Sequence, residues 1–187
     1  IGVNVTVPFN NLIIPYLDDL DTVAKETQSV NTLFKVNNKI TGYNTDSLGF
    51  KETITKLYPH KENSIKQGPL ESKNVFILGA GGVSSSIIFA LYKSGAKIIL
   101  SNRTKNKAEE LKKLFPKLEI LDWGEKPLNC NIVINTTSVG LIKDEEIKID
   151  FSDYNESPHK DVLFYDLIYN PKETRFLKSA RLRGNKT

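Results

Sequence analysis

Along residues 2–7 Val3, Val5 and Val7 alternate with Asn4 and Thr6, the period of a strand buried on one face. Pro8 removes a backbone donor and ends that run. Residues 10–28 read as helical pieces interrupted by Pro15. Two alternating runs, VNTLFKV and KITGYNT, flank Asn37-Asn38 and predict a hairpin with a two-residue turn. A helix then opens at Thr45 or Asp46 and sets Phe50, Ile54 and Leu57 on one face. From Tyr58 to Ser72 the periodicity disappears into a polar stretch with Pro and Gly, the best candidate for a linker or domain edge.

A different rhythm begins at Lys73. NVFIL is a short buried strand, GVSSSIIFALYKSG a helix ending at Gly95, and KIILSN a second strand. TKNKAEELKKLF is a helix opened by Thr104, LEIL a third strand, and NIVINTTS and VLFYDL supply two more. Strands alternating with helices predict an α/β fold with a parallel, doubly wound sheet. The expected layout is a partial α/β domain over 1–58 and a linker over 59–72. A nucleotide-binding domain over 73–172 follows, then the start of a further helix over 173–187.

Composition narrows the class. The 187 residues are 39% hydrophobic and 26% charged, as in a globular protein with a real core. No apolar run approaches the roughly 20 residues of a membrane span, and no basic segment followed by an apolar one marks a leader at the start. The chain begins at Ile1 and contains no methionine, which reads as a fragment of a longer polypeptide. The net charge of +4 comes from lysines scattered among glutamates, a solvated helix face rather than a nucleic-acid stripe. Cys130 has no partner for a disulfide and is expected to pack as a small hydrophobe, which fits a cytoplasmic location. His60 and His159 stand alone, so no metal site is expected.

The strand NVFIL runs into GAGGVSSS, a G-x-G-x-x-S turn with Ser84 where a dinucleotide fingerprint prefers a third glycine. Gly79 permits the tight turn, Gly81 lets the backbone approach a pyrophosphate, and the following helix offers N–H groups to the anion. After the second strand the sequence reads LSNRTKNK. No acid is present to hold a ribose hydroxyl, whereas Arg103, with Lys105 and Lys107 beyond it, suits a 2′-phosphate. That favours NADP over NAD. Asn102 and Thr104 can add neutral hydrogen bonds; Thr104 can equally cap the next helix.

Together GVNVTVPF, SVNT, GYNTDSLGF, LGAGG, SNRTKNKA, NTTSVG and YDLIYNP resemble the shikimate dehydrogenase family over essentially the whole chain. The resemblance implies NADPH-dependent reduction of 3-dehydroshikimate to shikimate on the route to aromatic amino acids. It also implies a substrate domain paired with a Rossmann-like NADP domain. Thr6, Asn31 and Asp46 match positions that hydrogen-bond the substrate hydroxyls, and Asp46 also matches the acidic member of a catalytic Lys/Asp pair. On local sequence alone, Asp46 serves as well as a helix N-cap. Gly79, Ala80, Gly81, Gly82 and Val83 match the phosphate turn, and Asn102, Arg103, Thr104 and Lys107 the 2′-phosphate side. Thr136, Ser138 and Val139 match the nicotinamide side. Tyr169 matches an aromatic near the cleft, or else packs beside Pro171.

One position departs from the family. Where it carries a lysine two residues after Pro8, this chain carries Asn10. That lysine is the proton-transfer partner, and an amide carries neither its charge nor its proton. General acid–base groups typically contribute about 10²–10⁴-fold, so turnover is expected to be severely lowered and binding less so. A misread base and a family member with changed chemistry are two accounts of Asn10. The family's serine pair for the substrate carboxylate is expected upstream of Ile1, and a substrate-contacting glutamine beyond Thr187. Residues 73–183 are expected to be able to fold and bind NADP without the rest. The partner is a small-molecule substrate, with no nucleic acid and no membrane; a homodimer is compatible with this picture. A quinate or shikimate-like paralogue and a non-catalytic NADP-binding relative are the alternative readings.

Overall fold

The computed structural model describes residues 2–59, 68–142, 145–155 and 161–187. Residues 60–67 of the expected linker, with His60 and His159, lie outside the described residues. The chain divides into two compact units: residues 1–71 with 81–95, and residues 72–80 with 96–187.

The first unit holds a four-stranded sheet. Strand β1 (Gly2–Asn4) pairs antiparallel with β3, β2 (Asp19–Leu20) precedes helix α1 (Thr22–Thr27), and β3 (Thr32–Val36) and β4 (Lys39–Tyr43) form the hairpin. The order is β1-β3-β4-β2, with β2 parallel to β4. Asn37 and Asn38 both take positive φ, 48° and 65°, which is why asparagine suits this turn. Helix α2 (Asp46–Leu57) follows. It buries Phe50 and Ile54, but Leu57 is 51% exposed, so the expected three-residue face ends a turn early.

Two further expectations are corrected here. The strand expected over 2–7 is regular only over Gly2–Asn4, although the Val5 N–H still donates to the Asn31 carbonyl at 2.8 Å. Val3 and Val7 on it are exposed: alternation marks a pleat, not what covers it. Within 10–28 the structure has a 3-10 turn at Ile14–Tyr16, the short strand β2 and α1, not helical pieces alone.

In the second unit, β5 (Asn74–Leu78) is the middle strand of a parallel sheet and is buried on both faces from Val75 to Leu78, as its unbroken apolar run requires. Helix α3 (Ser84–Lys93), which follows β5 in sequence, belongs to the first unit and packs on α1 and α2. Strand β6 (Lys97–Ser101), helix α4 (Lys105–Leu114), β7 (Glu119–Leu121), β8 (Ile132–Asn135), β9 (Leu163–Asp166) and helix α5 (Arg175–Leu182) complete the second unit. The order is β7-β6-β5-β8-β9, all parallel. This is the Rossmann-like arrangement expected from the sequence. Phe151 sits at the centre of the core, its ring 5.3–6.4 Å from those of Tyr154, Phe164, Phe176 and Phe76. Cys130 joins this core, and burial pushes its thiol up to about 12, so it packs as an inert hydrophobe. Among the described residues no helix is long and apolar enough to cross a membrane.

Candidate functional site

From β5 the chain winds outward through β6 to β7, then returns on the other side of β5 through β8 to β9. In open α/β sheets ligands sit beyond the carboxyl ends of the strands where the winding reverses, here the ends of β5 and β8. At the end of β5, Gly79 takes φ +107°, and its N–H donates to the Ser101 carbonyl at 2.9 Å. A Cβ at Gly79 would stand 2.8 Å from Thr137 Cγ2 and 2.9 Å from Thr136 Oγ1, so only glycine fits. The Thr136 hydroxyl donates to the carbonyls of Leu78 (2.9 Å) and Gly79 (3.1 Å), which makes it a clamp on the strand end.

The loop after β6 is tied to the same turn. The Ala80 N–H donates to Asn102 Oδ1 at 3.0 Å, and Asn102 Nδ2 donates to the Thr104 carbonyl at 2.7 Å. Thr104 occupies the N-cap position of α4, but its side chain makes no capping bond. Lys105 pairs with Asp122 at 2.7 Å, so this carboxylate is compensated. Arg103 and Lys107 are exposed and enter no ion pair among the described residues. The strand end therefore presents a fork of guanidinium donors and no uncompensated carboxylate, a donor set that fits a phosphate on a ribose and not a bare diol. Beyond β8, Ser138 is exposed while Val139 is half-buried against the core. Tyr169 is 90% exposed, so packing beside Pro171 does not account for it.

In the first unit, the rest of the glycine turn enters α3. The Gly81 N–H donates to Ser84 Oγ at 2.9 Å, so the serine that replaces the usual third glycine holds the turn from within. Ser29 Oγ donates to the Gly82 carbonyl at 3.1 Å, and Asn44 Nδ2 donates to Ser86 Oγ at 2.8 Å. Asn10 is 6% exposed; its Nδ2 donates to the Val30 carbonyl at 3.1 Å. Its Oδ1 is buried without a partner, 3.4 Å from where a Gly82 Cβ would lie.

Val30 leads directly to Asn31, whose Nδ2 donates to Asp46 Oδ1 at 2.8 Å and to Thr45 Oγ1 at 2.9 Å. Its Oδ1 accepts the Thr45 N–H at 3.0 Å. Thr45, not Asp46, is the N-cap residue of α2, so the capping account of Asp46 does not hold. Burial holds the Asp46 carboxyl above the usual carboxylate range, against the pull of the Asn31 hydrogen bond. Asn31 and Asp46 are thus brought together, and Thr6 lies exposed in the same unit.

Sequence reasoning passed over three residues, Asn135, Asp166 and Thr174. Asn135 and Asp166 end β8 and β9, stand opposite each other in the sheet register, and share a hydrogen bond of 3.1 Å. The available signal for the first two was a polar residue closing each apolar strand run, Asn135 in NIVIN and Asp166 in VLFYD.

Three comparisons bear on this geometry. A family model described as shikimate / quinate 5-dehydrogenase matches residues 61–173. The shikimate dehydrogenase (NADP(+)) of Pelagibacter ubique (strain HTCC1062) is 50% identical over 187 residues, all of this chain and 65% of that protein. The crystal structure of shikimate dehydrogenase from Aquifex aeolicus superposes with a TM-score of 0.83 at 40% identity, over 99% of this chain and 64% of that one. A shikimate dehydrogenase crystallised in complex with NADP+ superposes with a TM-score of 0.82 at 31% identity, over 100% of this chain and 64% of that one. The chain spans about two thirds of the length of these relatives, or slightly less.

Proposed function

The chain belongs to the shikimate / quinate 5-dehydrogenase family, and we propose that the protein containing it reduces 3-dehydroshikimate to shikimate with NADPH in the cytoplasm. The cofactor is NADP, whose reduced form supplies the hydride when bound. Gly79, Ala80, Gly81, Gly82 and Val83 hold its pyrophosphate, and Asn102, Arg103, Thr104 and Lys107 its 2′-phosphate. Thr136, Ser138 and Val139 lie on its nicotinamide side. Thr6, Asn31, Asp46 and Tyr169 contact the substrate, whose several hydroxyls need fixed partners to present one carbon in a single orientation.

Asp46 retains or accepts a proton at its carboxyl, a role supported by the burial that raises its pKa and by the orienting amide of Asn31. Asn10, at the position of the family lysine, offers no proton and no charge to the carbonyl oxygen, so turnover is lowered while binding persists. The observation that carries the reading is Arg103, exposed and uncompensated beside the loop that Asn102 ties to the glycine turn. Titration of the full-length protein with NADP and NAD tests it. Loss of a charge-assisted contact in Arg103→Ala is expected to weaken NADP binding by about ten- to hundredfold and to leave NAD binding nearly unchanged. Equal losses for both nucleotides, or none, would refute the assignment.

A further inference from the structure

Asn135 is fully buried at the end of β8, and all its hydrogen-bonding capacity is engaged. Its Nδ2 donates to the Val139 carbonyl (3.2 Å) and to Asp166 Oδ1 (3.1 Å); its Oδ1 accepts the Thr137 N–H (3.0 Å) and the Thr137 hydroxyl (2.7 Å). Thr137 Oγ1 in turn accepts the Val139 N–H at 3.1 Å. Asp166, one strand away, accepts the Ile168 N–H on Oδ1 (3.0 Å) and the Thr174 hydroxyl on Oδ2 (2.6 Å). Thr174 is 2% exposed; its oxygen caps α5 by accepting the Leu177 N–H at 3.4 Å. Its methyl stands 3.2 Å from where a Cβ on Gly140 would lie, at a φ of +112°.

A continuous set of side chains thus joins the N-terminus of α5 to both sides of the turn that follows β8. A half-buried carboxylate is an expensive way to fill a strand end, and burial raises the Asp166 pKa while these three donors oppose it. A network of this kind gives geometry rather than stability. Resting on the dinucleotide reading above, we propose that Asn135, Asp166 and Thr174 are positioning residues that fix the 137–140 turn, and with it Ser138 and Val139, for the bound cofactor.

Thr174→Val in the full-length protein tests this, because it keeps the methyl against Gly140 and removes only the hydroxyl. Amide hydrogen exchange is expected to speed up at Thr137, Val139 and Ile168 as well as at Leu177. NADPH affinity, read by nicotinamide fluorescence, is expected to fall about two- to tenfold, the equivalent of one lost hydrogen bond. Thr174→Ser restores both. Faster exchange confined to Leu177 with unchanged affinity would make Thr174 a helix cap only and overturn the proposal. Absence of NADPH binding by the unaltered protein would sink the dinucleotide reading, and with it the purpose assigned to these residues. The exchange pattern would still report separately whether they set the turn.

Discussion

Asp46 carries a carboxyl that burial keeps protonated to higher pH than an unfolded chain would. Across that interval the native state binds more protons than the unfolded one, so stability falls as pH rises through it. The penalty sets in above the ordinary value of 3.8, grows until the native carboxyl has ionised as well, and vanishes below 3.8. Asp46→Asn keeps an acceptor for Asn31 and removes the charge. Urea midpoints should show the variant more stable than the parent at pH 7, with the advantage gone near pH 3.5, while turnover falls by about 10²-fold or more. A variant less stable at pH 7 would contradict a desolvated carboxylate. At Asn10 the expectation runs the other way. Asn10→Lys is predicted to raise the turnover number of the full-length protein by about 10²-fold or more. It should lose about 1 kcal/mol of stability, because the Val30 carbonyl gives up its buried amide donor. A folded variant with unchanged turnover would remove the proton-transfer position from the proposal.

Among the elements, the turn from β5 into α3 offers a steric test. Gly79→Ala must place a methyl within 3 Å of Thr136 and Thr137, at a φ that L-residues avoid. Gly124 has a similar φ of +102°, but nothing lies within 4 Å of its would-be Cβ. Thermal unfolding should show Gly124→Ala losing about 1 kcal/mol for backbone strain alone, and Gly79→Ala losing about 2–4 kcal/mol through the added clash. Equal losses would mean the contact is soft. Much of this level was legible in the sequence. The Asn37-Asn38 turn announced itself because few residues accept two successive positive φ values, and β5 because a run buried on both faces is apolar throughout. Strand β2 was not legible: it has two residues, and only the neighbouring β4 makes it a strand. The glycine turn and Arg103 were legible as motif. Asn135, Asp166 and Thr174 were not, since 31 residues separate the first two and only the β8–β9 register sets them side by side.

For the whole molecule, the sequence suggested that residues 73–183 would fold and bind NADP alone. The division of the chain changes that expectation. Helix α3 lies between β5 and β6 in sequence, yet residues 81–95 belong to the same compact unit as residues 1–71. There α3 packs on α1 and α2, Ser86 takes the Asn44 amide, and Ser29 holds the Gly82 carbonyl. A fragment starting at Lys73 carries α3 without these partners. Polar atoms buried in the intact chain, such as Ser86 Oγ, must then find water, and the apolar contacts with α1 and α2 are lost. At about 1–3 kcal/mol for each large apolar side chain uncovered, the loss rivals the 5–15 kcal/mol that typically separates folded from unfolded domains. Residues 73–187 expressed alone should therefore unfold at least about 10 °C below the full-length protein, and bind NADP more weakly because the Gly82 carbonyl loses its Ser29 donor, while Ser84 still holds the Gly81 N–H. Differential scanning calorimetry and a nucleotide titration on the same samples decide the matter. A fragment with the parent's midpoint and affinity would show that α3 needs nothing from the first 71 residues.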